Sequence, residues 1–429
     1  MKLNYITHAC ILIEVGKLKI LTDPWLVGPS WGGSLWHFPM HNFTPKNLPS
    51  PDIIYFSHGH DDHFNDQTIK KFPKNWFNKL IVAPNFKEKW WKSSLKPKFK
   101  NIKFLNHNEI FKINKDLNFQ MFLNDKGHAD SSIKIQYKNK SCFLQTDNVM
   151  SIKEASRISK LGKINVAFMM PYLTGIFPAF YKMKKEEMIK LGKKKKNNSL
   201  KYCYDLVKSL KPDYLVPYAS DVATLGKNFY ANFIHNNNKK DFQKFIVAKK
   251  LETKSLILSP GDFIKFNEND DKIEKKISKY KFNLKEFNKF KKKNMLNYSK
   301  FQKKEMVLDK LEKKPVLNNF MYKIEKGMQK LSKFNFTVLF LIKHKNQKDS
   351  SFLINFNNKK IIEDMPLKRL YVPKLIIFTE FYKIANLVNK KYPMNFMTFH
   401  NGAITCQRDS KELSDNEYRF WNWIYNLSF

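Results

Sequence analysis

The feature that most constrains how this chain can fold is a group of metal-ligand side chains directly behind a short apolar run. Asp52–Phe56 (DIIYF) predicts a buried strand. The residues that follow fit the spacing H-x-H-x-D-H, with His58, His60, Asp62 and His63 at the matching positions. Imidazole nitrogens and carboxylate oxygens bind zinc and iron alike. A chance cluster on a polar loop is the weaker interpretation, and we predict that these four residues bind a two-metal centre.

Two later positions follow predicted strands and supply further ligands. His128 closes one of these strands and is expected to complete a three-histidine set with His58 and His60. Asp147, which follows Thr146 after the next strand, is expected to bridge both ions. Each would be an ordinary turn residue in isolation. The order H-x-H-x-D-H, then Gly-His, then Thr-Asp makes metal binding the stronger interpretation of both.

The sequence leaves the last ligand open. The segment Val216–Asp221 contains no histidine, so Asp221, His235 or an open, water-filled position fits the pattern equally well. His8 and Asp23 follow neighbouring predicted strands near the beginning of the chain. Each is expected either to orient a ligand through a hydrogen bond or to cap a tight turn.

Apolar alternation and turn signals predict an α/β chain with many short strands. Predicted strands cover 3–7, 10–15, 18–22, 79–83, 102–105, 118–124, 132–137, 141–145, 164–169, 213–217 and 255–259, with a helix over 198–210. A strand pair over 336–342 and 351–356 and helices over 380–389 and 418–425 follow later.

The composition changes near residue 266, where Lys, Asn and Glu dominate and apolar residues recur at helical spacing (Ile273, Ile277, Tyr280). We therefore predict a first domain over 1–265 and a basic, helical connection over 266–334. A small C-terminal α/β domain is predicted over 335–429.

The net charge of +40 comes almost entirely from lysine, because arginine supplies only Arg157, Arg369, Arg408 and Arg419 among the 78 basic residues. Nucleic-acid sites favour the bidentate arginine side chain and interleave it with aromatic residues, a pattern not found around the motif. We therefore expect no nucleic-acid partner and interpret the charge as a lysine-coated surface. Attraction of an anionic small molecule is the alternative.

The four cysteines are widely scattered and form no C-x-x-C pair, which indicates neither a disulfide framework nor a zinc ribbon. The N-terminus alternates like strands and has no long apolar signal region. No apolar stretch has the length of a membrane span. We expect a cytoplasmic protein without a membrane span.

The motif and the order of the ligands resemble those of the metallo-β-lactamase superfamily. The resemblance implies an α/β fold of that type, an αβ/βα sandwich, and a metalloenzyme. Other segments resemble one branch more specifically, the cytidine monophosphate N-acetylneuraminate hydroxylases: Tyr5–Cys10 (YITHAC), Asp23–Pro29 (DPWLVGP), Ile54–His58 (IYFSH), Ala167–Met170 (AFMM), Pro217–Ala219 (PYA), Gln407–Asp409 (QRD) and Phe420–Asn422 (FWN). The likeness spans most of the chain and is poor in the basic middle section.

Members of that branch hydroxylate the N-acetyl group of a CMP-activated sialic acid, using electrons from an N-terminal Rieske iron–sulfur domain. A Rieske cluster needs C-x-H and C-x-x-H pairs, which this sequence does not contain. The resemblance therefore implies that a separate protein delivers the electrons, or that the chemistry is not oxygenation.

Two functions follow from these alternatives. As an oxygenase, the chain would hold two irons that activate dioxygen against a nucleotide-activated sialic-acid-type sugar; Arg408 is a speculative phosphate contact, although a surface ion pair with Asp409 or Glu412 is preferred. As a hydrolase, it would hold two zinc ions that lower the pKa of a bridging water, with Asp62 orienting this nucleophile towards a phosphodiester, ester, lactone or amide. The closer resemblance favours the oxygenase.

Overall fold

The computed structural model describes residues 1–173, 175–234, 238–267, 273–278, 284–345, 347–364, 373–389, 404–409, 414–425 and 427. The first part of the chain is built on two sheets, with strands numbered along the sequence. The larger sheet has the order β17-β16-β1-β2-β3-β5-β6-β7. Its strands are β1 (Lys2–Thr7), β2 (Cys10–Val15), β3 (Leu18–Thr22), β5 (Ile53–Tyr55), β6 (Leu80–Pro84), β7 (Asn101–Leu105), β16 (Phe263–Phe266) and β17 (Ile273–Lys276).

The second sheet has the order β15-β13-β12-β11-β10-β9-β8. Its strands are β8 (Ile110–Lys112), β9 (Leu117–Leu123), β10 (Ser131–Tyr137), β11 (Lys140–Leu144), β12 (Val166–Met169), β13 (Tyr214–Pro217) and β15 (Lys254–Ser255). A separate two-stranded ribbon pairs β4 (Leu35–His37) with β14 (Val222–Thr224).

The two sheets pack face to face, because alternate apolar residues of each are buried in one shared core that includes Tyr5, Ile13, Phe119 and Ile133. Helices cover the outer faces. Those on the larger sheet are α1 (Asp66–Ile69) and α2 (Lys89–Leu95), and those on the second sheet are α3 (Ile152–Ser159), α4 (Lys185–Leu210) and α5 (Lys239–Ala248). These four layers confirm the predicted αβ/βα sandwich. None of the described helices is long and apolar enough to cross a membrane.

The C-terminal part has its own five-stranded sheet, in the order β20-β19-β18-β21-β22. Its strands are β18 (Thr337–Lys343), β19 (Ser350–Asn355), β20 (Lys360–Glu363), β21 (Leu375–Glu380) and β22 (Thr405–Arg408). The helices of this half are α6 (Leu284–Glu305), α7 (Lys313–Gln329), α8 (Phe381–Val388) and α9 (Asp415–Tyr425). The predicted strand pair and both predicted C-terminal helices are confirmed.

Two local predictions are wrong. The strand expected over 255–259 ends at Ser255, because the chain turns where Ser259 N donates to the Asp262 carboxylate at 2.7 Å. The segment that begins at Ile273 was expected to be helical but forms the edge strand β17, since Ile273 pairs with Phe266 of β16. Pairing with β16 at the edge of the sheet outweighs the helical spacing of the apolar residues in this segment. Ile277 lies outside β17, and Tyr280 lies outside the described residues.

The C-terminal sheet packs on both α7 and the segment that follows β12. Phe320 of α7 shares a buried core with Val338 of β18 and with Phe180, and Tyr181 bridges to Cys406 of β22. The predicted connection therefore contributes residues to a core. The division into 1–265, 266–334 and 335–429 stays a prediction.

Arg408 lies inside this C-terminal core and not on the surface. Its Nη2 donates to Glu417 Oε1 at 2.7 Å, and the two side chains are only 4% and 2% exposed. Tyr181 and Trp421 donate to the same carboxylate oxygen at 2.9 and 3.1 Å. Strand alternation explains the burial, because Arg408 faces the same side of β22 as the buried Cys406.

The preferred interpretation of Arg408 as a surface ion pair is therefore wrong. Asp409 pairs with Lys374 at 2.7 Å, and Glu412 lies outside the described residues.

Glu417→Ala is expected to destabilise the protein strongly, because it leaves the buried Arg408 guanidinium without its counter-charge. Breaking a buried pair in this way costs roughly 3–5 kcal/mol. Chemical denaturation monitored by circular dichroism measures the loss. Asp409→Ala, which breaks an exposed pair, is the control and should change the midpoint little. Equal midpoints for the two variants would contradict the buried-pair account.

Candidate metal centre

Strand ends of both sheets bring the polar residues to one edge of the sandwich. His8 follows β1, Asp23 follows β3, and the motif loop follows β5 in the larger sheet. In the second sheet Asp147 follows β11, and Asp130 directly precedes β10. The two sheets meet here, since Ala219 N, just beyond β13, donates to His8 O at 2.9 Å.

The backbone at this edge is strained. Four non-glycine residues next to strand ends have positive φ: His8 (46°), Asp23 (37°), Thr146 (55°) and Ala219 (50°). Such conformations cost on the order of 1–3 kcal/mol each and persist only where the surroundings hold them. At His8 the carbonyl accepts a hydrogen bond from Ala219 N, and Tyr5 Oη lies 2.9 Å from the same oxygen. These four strained positions lie at the same edge of the sandwich as the polar residues.

The motif loop is fixed by its own backbone and by a helix cap. The N–H groups of His63 and Phe64 both donate to His60 O, at 3.0 and 2.7 Å, so that the chain makes a tight turn. Asn65 caps α1 by accepting from Thr68 N, and its amide donates to Asp61 O at 2.9 Å. The turn therefore separates the ring of His58 from the side chain of Asp62.

One group of ligand atoms is formed by His58, His60 and Asp130, all within 4.8 Å of one another. His58 Nε2 lies 3.9 Å from Asp130 Oδ1 and 3.6 Å from Asp147 Oδ2. His60 Nδ1 lies 3.0 Å from the same Asp147 oxygen. Two imidazoles and a carboxylate are thus brought together at one point.

A second group is formed by His8, Asp62 and His63, again within 4.8 Å. His8 Nε2 lies 3.2 Å from Asp62 Oδ2. His63 Nε2 lies 3.3 Å from Asp147 Oδ1. Because Asp147 reaches the first group with one oxygen and the second with the other, its carboxylate connects them.

The donor atoms fit metal ions. Nε2 of His58, Nε2 of His63 and Oδ1 of Asp62 are buried and make no hydrogen bond within the part of the chain that the structure describes. A buried polar atom without a partner costs about 1–3 kcal/mol. Such atoms are rare in folded proteins, yet here they lie within two adjacent groups of ligand side chains. Nitrogen and carboxylate ligands in this arrangement suit zinc or iron.

The local electrostatics produce the protonation states that metal binding needs at two ligands. Burial, together with the neighbouring His60 and His63, lowers the pKa of His58 to about 3. Burial raises the pKa of Asp147, but His63 and the hydrogen bonds from the histidines outweigh it and hold this pKa well below its usual range. His58 is therefore a neutral imidazole and Asp147 a carboxylate.

His60 and His63 differ from His58. Burial lowers their pKa values, but the carboxylates outweigh burial: mainly Asp147 at His60, and Asp147 with Asp23 at His63. Both pKa values are raised, so a metal ion has to displace protons from these rings.

Asp23 and Ser57 orient two of the rings. His63 Nδ1 donates to Asp23 Oδ2 at 2.9 Å, which leaves Nε2 for the second ligand group. The other oxygen of Asp23 accepts from Ser57 N at 2.8 Å, and Ser57 Oγ lies 2.8 Å from His58 Nδ1. The sequence indicated Asp23 for such a role but gave no sign of Ser57.

His128 is not brought into either group. Its Nε2 lies 3.2 Å from the phenol oxygen of Tyr418 on α9. Asn124 Oδ1 accepts from the backbone of Lys126 and of His128, which curls the turn and leaves the His128 side chain half-buried at the mouth of the site. Asp130, two residues later, takes the expected place beside His58.

Of the two residues considered for the last ligand, Asp221 lies elsewhere. Asp221 forms a buried ion pair with Lys239 at 2.8 Å and accepts from Tyr5 Oη at 2.6 Å. His235 lies outside the described residues. His8, directly after β1, belongs to the second group of ligand-type atoms, for which the sequence offered no third member.

The chain is similar to several known proteins. Residues 2–152 match the family model of the beta-lactamase superfamily domain. Cytidine monophosphate-N-acetylneuraminic acid hydroxylase from Pongo pygmaeus is 28% identical over 231 residues, which are 51% of this chain and 38% of that protein. The Xenopus laevis enzyme is 29% identical over 236 residues, again 51% of this chain and 38% of the relative.

Solved structures with similar folds include isothiocyanate hydrolase from Delia radicum gut bacteria (TM-score 0.46, 16% identity, 62% of this chain and 99% of that one). Another is CmlA, a diiron β-hydroxylase from Streptomyces venezuelae (TM-score 0.40, 15% identity, 60% of this chain and 52% of that one). Residues 2–152 thus resemble a beta-lactamase-superfamily domain, and about half of the chain resembles the CMP-N-acetylneuraminic acid hydroxylases, of whose length it spans well under two thirds.

His58→Ala and Asp147→Ala are each expected to lose bound metal, because both residues contribute to the site at which the two groups meet. Inductively coupled plasma mass spectrometry of the purified variants measures the metal content per chain. His107→Ala is the matched control, since His107 is partly exposed and belongs to neither group. Full metal retention by both test variants would refute the ligand assignment.

Metal affinity is expected to fall as the pH is lowered. Protons compete with the metal for His60 and His63, and their raised pKa values mean that this competition begins at higher pH than for ordinary histidines. Equilibrium dialysis against a metal buffer at pH 8, 7 and 6 measures the change. An affinity independent of pH over this range would contradict binding through these rings.

Proposed function

We propose that this protein is a dinuclear metalloenzyme that oxygenates a nucleotide-activated sialic-acid-type sugar, with electrons from a separate protein. The observation that carries the dinuclear assignment is the position of Asp147, whose two carboxylate oxygens reach two adjacent ligand groups. The resemblance to hydroxylases of CMP-N-acetylneuraminic acid supports oxygenation and the substrate class.

The proposed ligands of one ion are His58, His60 and Asp130, and those of the other are His8, Asp62 and His63, with Asp147 shared. This set keeps five of the six ligands that the sequence predicts and adds His8 and Asp130. His128, the sixth, stays a predicted ligand, and its Nε2 lies 3.2 Å from the phenol oxygen of Tyr418.

The chain itself would prepare the site in four ways. Asp147 would contribute one carboxylate oxygen to each ion, and Asp23 and Ser57 fix the rings of His63 and His58. Burial of the ligands limits the access of water. Tyr172 is buried, and its pKa is raised by burial and then by Asp147 and Asp62, so its phenol keeps its proton at neutral pH and is a hydrogen-bond donor near the ligands. When bound as iron, the metal ions would supply the activation of dioxygen.

Hydrolysis with two zinc ions is the second candidate. The observation that favours it is Asp62 Oδ1, which is buried at the second ligand group without a hydrogen-bonding partner among the described residues. In a two-metal hydrolase, a carboxylate so placed orients a water whose pKa the metals lower. The substrate would then be a phosphodiester, ester, lactone or amide.

The test is a single-turnover reaction with metal-defined protein. Protein reconstituted with iron, given CMP-N-acetylneuraminate, a chemical reductant and dioxygen, is expected to give a product heavier by one oxygen atom. Mass spectrometry with ¹⁸O₂ shows whether this atom comes from dioxygen. Asp147→Asn should abolish the product, because it removes the shared carboxylate.

Zinc in the protein as purified, together with hydrolysis of a simple phosphodiester or ester and no ¹⁸O incorporation, would contradict oxygenation and support the second candidate.

A further inference from the structure

A loop directly behind β3 covers the motif, and Trp31 is its central residue. Trp31 is only 6% exposed, and its ring lies 5.2 Å from the His60 ring, centroid to centroid. Its backbone N–H donates to Asp61 Oδ2 at 2.7 Å. Since Asp61 stands between His60 and Asp62, the loop is tied to the metal motif by both its backbone and its side chain.

The indole N–H of Trp31 lacks a partner, in contrast to its neighbours. Trp25 Nε1 donates to Gly28 O and Trp36 Nε1 to Gly33 O, each at 3.0 Å. Trp31 Nε1 is buried and makes no hydrogen bond within the described part of the chain. A buried indole N–H usually donates to an acceptor. The Trp31 N–H has none, and it belongs to the ring that packs on His60, a proposed metal ligand.

The C-terminal helices hold this loop from the other side. Lys383 of α8 donates from Nζ to Gly32 O at 3.1 Å. Phe301 of α6 lies so close to Gly33 that a Cβ there would come within 2.4 Å of it, and both glycines have positive φ. Glycine is therefore required by both the turn and the close approach. The loop has little freedom to move its indole towards another acceptor.

We propose that Trp31 is a substrate-binding residue, whose indole N–H donates a hydrogen bond to an oxygen atom of the sugar held at the metal centre, and that α6 and α8 position it. An indole only donates, so its partner is an acceptor such as a carboxylate or amide carbonyl oxygen. An N-acetylated sialic acid carries both groups. This inference rests on the proposed function for the identity of the sugar.

The test compares Trp31→Phe with Trp36→Phe, using two ligands on metal-loaded protein. Trp31→Phe removes the N–H and keeps an aromatic ring against His60. It is expected to weaken binding of CMP-N-acetylneuraminate in calorimetry about tenfold, the effect of one lost hydrogen bond. Binding of CMP alone should not change, because CMP lacks the sugar. Trp36→Phe, which removes an indole N–H that already has a partner in the same loop, should leave the affinity for the sugar nucleotide within about twofold.

Lys383→Met tests the positioning role of α8. It keeps the aliphatic stem and removes the hydrogen bond to Gly32 O, so it should weaken binding of the sugar nucleotide in the same direction as Trp31→Phe. Lys374→Met, at an exposed lysine of the same half, should have no effect. Unchanged binding by Lys383→Met would overturn the role of α8.

The outcomes separate this inference from the proposed function. If the wild-type protein binds CMP-N-acetylneuraminate and Trp31→Phe binds it equally well, the role of Trp31 is overturned and the proposed function stands. Loss of metal, or equal weakening of CMP binding, in Trp31→Phe would also overturn it, since the residue would then be structural. No binding by the wild-type protein would overturn the proposed substrate and the inference together.

Discussion

The site depends on one buried carboxylate that several histidines surround. Asp147 lies 3.0 Å from His60, 3.3 Å from His63 and 3.6 Å from His58. A carboxylate taken out of water is costly unless it is paired, and the histidines provide that pairing in the absence of metal. With metal bound, the same two oxygens would face two cations. The end of β11 fixes the position of Asp147, and the three histidines are arranged around that position.

The rest of the fold brings the partners of Asp147 to it. The ends of β1, β3 and β5 deliver His8, Asp23 and the motif loop from one sheet, and the start of β10 delivers Asp130 from the other. Strained backbone at His8 and Asp23 shows that these strand ends are held against their local preference. The C-terminal half contributes at the mouth, where Lys383 contacts the loop that carries Trp31 and Tyr418 contacts His128.

Most of the strands and the metal motif were predictable from the sequence, because both depend on the spacing of residues along a short stretch of chain. The alternation of apolar residues located most strands to within two residues, and H-x-H-x-D-H after a strand located the motif. Asp130 was missed because the direction of a side chain in the turn after β9 depends on the hydrogen bonds of Asn124, which spacing does not encode. From the sequence, His8 was expected to orient a ligand or to cap a turn. Its place in the second group of ligand atoms was not predicted, because only tertiary contact brings β1 beside the motif. The burial of Arg408 likewise depends on strand register in the C-terminal sheet.

Under the proposed function, Asp147 would be shared by two metal ions, one held by His58, His60 and Asp130 and the other by His8, Asp62 and His63. Anomalous X-ray diffraction from crystals of the metal-loaded protein tests it most directly. Two anomalous peaks are expected about 3.5–4 Å apart, with the Asp147 carboxylate between them and His8 beside the second. A single peak, or a second ion held by Asp221 in place of His8, would contradict it.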